Sequence, residues 1–157
     1  PDVMTVAKGW GGGAPIGAVA WRGPAAGILK PGPHGTTFGG GPLVCAAALA
    51  VLDTLESDGL LEHAHKLGLA MKARLDTELG SLAGVKEIRG QGLMIGIELD
   101  RPCGELVTKA MHNGLLINVT RDKVVRLLPP LILTTQEADT LLDILIPLIQ
   151  SFVDQQP

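Results

Sequence analysis

Lys8 follows an apolar segment, residues 3–7, and opens onto Gly9-Trp10-Gly11-Gly12-Gly13. An amine held among apolar residues is partly desolvated, which lowers its pKa and makes it nucleophilic toward an aldehyde. Glycines beside it leave room for a flat cofactor. Most lysines are simply solvated, and that plainer reading stands beside the chemical one. A second candidate is HGTTFGGGP, residues 34–42, where Thr36 and Thr37 lie between glycines just ahead of a helix start. Hydroxyls and exposed backbone N–H groups so placed can hold a phosphate, or they can serve only as a helix cap and its turn. His34 reads as a turn residue. Arg126 is the third candidate, the only charge in the apolar run 124–130. A guanidinium drawn into such surroundings calls for a carboxylate. That partner is either a structural Asp or Glu, or a substrate carboxylate held through two hydrogen bonds.

Other groupings carry less. Arg89-Gly90-Gln91-Gly92 falls short of a dinucleotide fingerprint, because residues 93–99 read as a strand where a helix is required. His63 and His65, two apart on a helix, point in different directions, do not make a metal pair, and read as surface residues. Cys45 and Cys103 lack metal-ligand spacing and are expected to be reduced, partly buried thiols.

The elements that must position these residues follow from periodicity. Glycines crowd the first forty positions but alternate with Ile16, Val19, Trp21, Ile28 and Phe38. Two short strands, 3–7 and 16–21, around a tight glycine turn fit this better than a linker. Residues 42–56 predict a helix apolar on nearly every face, as a buried helix is. After a break at 57–59, a second helix carries Leu60, Ala64, Leu67, Met71, Leu75, Leu79 and Leu82 at spacings of three and four. Beyond Gly84 the pattern is α+β: strands at 85–88 and 93–99, then a helix from Pro102 to an Asn113-Gly114 cap. Strands at 115–119 and 124–128 follow, and a last helix opens on a capping box, Thr134 to Glu137, with a kink expected at Pro147.

Composition bounds the answer. Of 157 residues 46% are apolar and 18% charged, enough for a sizeable core. The net charge of −3 with scattered basic residues argues against nucleic acid and anionic membranes as partners. The apolar stretches are too short or too interrupted to span a bilayer. The opening residues lack the basic region and apolar run of a signal peptide, and it is the expected reduced thiols of Cys45 and Cys103 that point to a cytoplasmic setting.

Taken in order, VMTVAKGWGGGAPIGAVA, HGTTFGGGPLVCAAALAVLD and RGQGLMIGIEL resemble the class III (ornithine-type) aminotransferases of the fold-type I pyridoxal-phosphate enzymes. NVTRDKVVRLLPPLILT is most similar to the branch that acts on acetylornithine. The resemblance covers essentially the whole chain. It implies an α/β fold: the end of a large cofactor domain (1–57), a bridging helix (58–84) and a small α+β domain (85–157). It implies pyridoxal 5′-phosphate carried by Lys8, which also shuttles the proton at the substrate carbon. Thr37 would bind the cofactor phosphate of a neighbouring subunit, hence a homodimer, and Arg126 would clamp a carboxylate of the amino donor or of 2-oxoglutarate. The implied reaction moves the side-chain amine of N2-acetylornithine to 2-oxoglutarate. Ornithine, succinylornithine and 4-aminobutyrate are the alternative donors, and a non-catalytic interaction module is the alternative of another class. Gly41 departs from the family, which places Asn before that Pro. The family's glycine-rich phosphate cradle, ring-stacking aromatic and pyridine-binding Asp precede the lysine and are not in this sequence. The expectation is therefore a portion of a larger enzyme, inactive by itself, with its first forty residues mobile or packed on another chain.

Overall fold

The computed structural model describes residues 1–28, 30, 32 and 35–155. The chain divides into two compact units, Pro1–Gly59 and Leu60–Pro157.

In the first unit, β1 (Val3–Val6) pairs antiparallel with β2 (Ala18–Trp21), Val3 opposite Trp21 and Val6 opposite Ala18. Two 3-10 turns, Lys8–Gly11 and Gly23–Gly27, flank the returning strand. The helix α1 (Pro42–Ser57) follows, opened by Gly41 and Pro42. The ribbon and its glycine turn are as the alternation of apolar residues predicts. The burial of α1 is not. Within its unit only Ala48 of the helix is buried, and Leu43 and Leu49 are 84% and 60% exposed. The helix packs on the short turn Lys8–Gly11, which is too small to cover its apolar residues.

The second unit is a four-stranded antiparallel sheet backed by helices. Its elements are α2 (Leu60–Leu79), β3 (Val85–Gln91), β4 (Met94–Leu99), α3 (Glu105–His112), β5 (Asn118–Thr120), β6 (Val124–Leu127) and α4 (Thr135–Asp154), with strand order β3-β4-β6-β5. Two-residue alternation sends Ile95, Ile97 and Leu99 of β4, and Val125 and Leu127 of β6, into one core. There they meet Met71, Leu75 and Leu79 of α2, and Leu142, Leu145 and Ile149 of α4. Arg74 of α2 reaches Glu78 (2.7 Å) and Asp143 of α4 (2.6 Å) at the rim of this packing. Gly68 lets α2 approach the β3–β4 hairpin: a Cβ there would overlap the Gly92 carbonyl oxygen and lie 2.5 Å from its carbon.

Differences from the sequence reading are local. Helix α3 starts at Glu105 rather than Pro102, and the Cys103 N–H ahead of it donates to the Asp122 carbonyl (2.8 Å). Strand β5 keeps only three residues. Pro147 lies inside helix α4, where the sequence places it. His63 is half-buried and its Nε2 lies 2.7 Å from the Leu133 carbonyl, whereas His65 is on the surface as expected. Cys45 is half-buried and Cys103 buried, both free. No described helix is long and apolar enough to cross a membrane.

The capping box is present in full: Thr134 Oγ1 accepts from the Glu137 N–H (3.2 Å), and the Glu137 carboxylate accepts from the Thr134 N–H (2.8 Å). The Thr134 N–H and the Thr134 hydroxyl, which also donates to that carboxylate (2.8 Å), together hold the Glu137 carboxyl below its ordinary value of 4.5. A group depressed on folding contributes stability above its unfolded pKa and loses it as pH falls through the folded one. Thr134→Ala is expected to cost about 1 kcal/mol near neutral pH. Its deficit should shrink as pH drops below 4.5, as read from urea midpoints by circular dichroism. A deficit constant down to full protonation would contradict this.

Candidate active site

Lys8 sits two residues past β1, at the head of the first 3-10 turn. Its φ of 60° places a side-chain-bearing residue in the left-handed region, where Cβ crowds the backbone. The turn closes through Trp10 N–H to the Ala7 carbonyl (3.3 Å) and Gly12 N–H to the Gly9 carbonyl (3.1 Å). It packs on α1 closely enough that a Cβ at Gly12 would stand 3.2 Å from a Val51 methyl. The lysine side chain is exposed, not held among apolar residues, because both faces of the ribbon are open within this unit. Among the described residues Lys8 makes no hydrogen bond or ion pair.

The two threonines divide their work. Thr36 Oγ1 accepts from the Gly39 N–H at 3.2 Å and closes the turn before α1. Thr37 is exposed, and its hydroxyl has no partner among the described residues. Neither caps α1: the capping residue is Gly41, which offers no side chain. The helix-cap alternative is thereby set aside. His34 lies outside the described residues.

Arg126 belongs to the second unit. Its neighbours Val125 and Leu127 point into the core, so strand alternation turns the guanidinium out onto the open face of the sheet. The expectation of a charge drawn into apolar surroundings is corrected: Arg126 is exposed, and it makes no ion pair among the described residues. On that face it sits in one row with Gly96 and Arg89, β6 to β4 to β3. Arg89, by contrast, is paired with both Glu87 (2.6 Å) and Glu98 (2.7 Å). The sequence reading treated Arg89 only as part of a glycine motif and passed over Glu98. Outward alternation in β3 and β4 was the signal that could have found them. Arg89-Gly90-Gln91-Gly92 itself forms the end of β3 and its hairpin turn, with Gly92 at φ 52°.

The aminotransferase class-III family model matches residues 1–149. The chain belongs to the class-III aminotransferases. Acetylornithine aminotransferase 1 of Bordetella bronchiseptica is 63% identical over 156 residues, which are 99% of this chain and 40% of that protein. The acetylornithine aminotransferase of Nitrosomonas europaea is 47% identical over the same span. Among solved structures, the ornithine aminotransferase of Toxoplasma gondii superposes with a TM-score of 0.91 at 35% identity, covering 99% of this chain and 38% of that one. The acetylornithine aminotransferase of Elizabethkingia anophelis gives 0.86 at 32%, covering 97% of this chain and 39% of that one. The chain thus spans about 40% of the length of the relatives it matches. The fold is that of the fold-type I class-III aminotransferases, mixed α/β.

Class-III aminotransferases use pyridoxal phosphate, and the first unit offers groups that fit it. An unpartnered amine is what an aldehyde requires. An unpartnered hydroxyl beside three side-chain-free residues, Gly39, Gly40 and Gly41, suits a phosphate.

Proposed function

We propose that this chain carries part of the active site of an acetylornithine aminotransferase, with N2-acetylornithine as amino donor and 2-oxoglutarate as acceptor. The observation that carries the reading is the 63% identity over 99% of the chain to a protein of that name.

In this reading Lys8 holds the cofactor through its amine and, once released by substrate, moves the proton at the substrate's reacting carbon. Pyridoxal phosphate, when bound, supplies the electron sink for the carbanion left by that proton. Thr37 donates its hydroxyl to the cofactor phosphate of a neighbouring subunit, so the working enzyme is a homodimer. Arg126 holds a substrate carboxylate through two parallel N–H donors, a geometry that a lysine could not reproduce. Residues 1–57 end the cofactor domain, 58–84 are the connecting segment built around α2 (Leu60–Leu79), and 85–157 are the small domain. Two free cysteines accord with a cytoplasmic setting.

Ornithine is the second donor to test, since the Toxoplasma gondii structure of TM-score 0.91 is an ornithine aminotransferase. The experiment uses the protein at the full length of its relatives, loaded with cofactor, and follows the visible absorbance. N2-acetylornithine is expected to bleach the band and 2-oxoglutarate to restore it. Bleaching by ornithine alone would move the assignment to that donor. A band indifferent to every amine donor would overturn the reading.

A further inference from the structure

The open face of the β3-β4-β6-β5 sheet carries two arginines and two glutamates whose pairing is lopsided. Arg89, Gly96 and Arg126 share one row; Glu87, Glu98 and Val124 share the next. Glu98 is therefore the diagonal neighbour of both arginines, one strand to either side, at a separation that long side chains bridge. Gly96 puts no side chain between them. Register alone gives Glu98 no reason to prefer one guanidinium. In the structure it takes Arg89, at 2.7 Å, and Glu87 completes the triad from the other side at 2.6 Å. The hydrogen bond that Arg89 donates to Glu98 is the largest of the effects that raise the Arg89 pKa.

We propose that Arg89 is a positioning residue: it captures Glu98 and so keeps Arg126 free for a substrate carboxylate. Without Arg89, Glu98 is the nearest anion on the face and swings to Arg126, where it competes with substrate for the same donors. Arg89 also separates two like charges, since Glu87 stands directly opposite Glu98. That second effect is purely structural, and the test must tell it from the first.

The inference rests on Arg126 as carboxylate anchor, so the series begins there, in the full-length holoenzyme, with kcat and the KM for 2-oxoglutarate as readouts. Arg126→Ala is expected to raise KM steeply; an unchanged KM removes the anchor reading and this proposal with it. Arg89→Gln is expected to raise KM roughly fivefold, the competition of one exposed ion pair, with kcat held. An unchanged KM in Arg89→Gln beside a weakened Arg126→Ala overturns the proposal and leaves the anchor standing. Two double variants separate capture from repulsion. Arg89→Gln with Glu98→Gln removes the competitor and should restore KM. Arg89→Gln with Glu87→Gln removes the repulsion but leaves Glu98 free, so KM should stay high. Equal rescue by both, or rescue by neither, would make Arg89 a structural residue only.

Discussion

Lys8→Ala in the full-length enzyme is expected to lower kcat by ~10²–10⁴-fold, the range that a positioned proton-transfer group contributes. The far-ultraviolet spectrum should not change, because the lysine side chain makes no hydrogen bond or ion pair among the described residues and its removal opens no cavity. Lys8→Arg sharpens the test. It keeps the positive charge, yet a guanidinium stays protonated at any working pH and can neither join an aldehyde nor carry a proton back and forth. The two variants should therefore be equally inactive. Arginine restoring even a tenth of the rate would mean that Lys8 acts as a charge, and the assignment of cofactor and proton transfer to it would be wrong.

The second large effect is on stability. Gly68 faces the Gly92 backbone, and a Cβ at 68 would overlap that carbonyl. The obstacle is main chain at a hairpin turn, so no rotamer change relieves it. Helix α2 would have to lift away from β3 and β4, disturbing the core around Leu67 and Met71. Gly68→Ala is expected to cost about 3 kcal/mol, near the top of the usual range for overpacking. That exceeds the roughly 1 kcal/mol that alanine contributes through better helix propensity. Urea unfolding should show a lower midpoint at unchanged slope. Both tryptophans, Trp10 and Trp21, lie in the first unit. The measurement should therefore use circular dichroism, since fluorescence would miss the unit concerned. A variant as stable as the parent would mean that α2 stands farther from the hairpin than described.

Helix α2, strand β4 and the capping box of α4 were legible in the sequence because each announces itself through a local rule. The leucine spacing marks α2, apolar alternation marks β4, and Thr134 with Glu137 marks the start of α4. What local rules do not carry is how much cover a segment finds. The run at 42–56 reads as a buried helix, yet the short turn beside it leaves Leu43 and Leu49 in solvent. Arg126 shows the reverse error. Its apolar neighbours suggested a buried charge, but they face the core while it faces out, a distinction that depends on which side the helices α2 and α4 occupy. Lys8 and Thr37 stand out in the sequence as residue types in a glycine setting. The division of labour between Thr36 and Thr37 is a matter of one hydrogen bond, and both hydroxyls look alike in a sequence. Arg89 and Glu98 escaped for a related reason: their pairing comes from strand register, which brings together residues nine apart.

The left-handed backbone at Lys8 bears on how this position would fare under mutational drift. A residue with a Cβ at φ 60° is disfavoured by about 1–2 kcal/mol, and glycine alone escapes that penalty freely. Folding by itself therefore favours losing the lysine, and the turn already draws on glycine at 9, 11, 12 and 13. In a gene copy released from making an active enzyme, position 8 should be among the first in the ribbon to change, and glycine or asparagine should be what replaces it. A lysine retained there across divergent copies marks selection on chemistry acting against selection on stability.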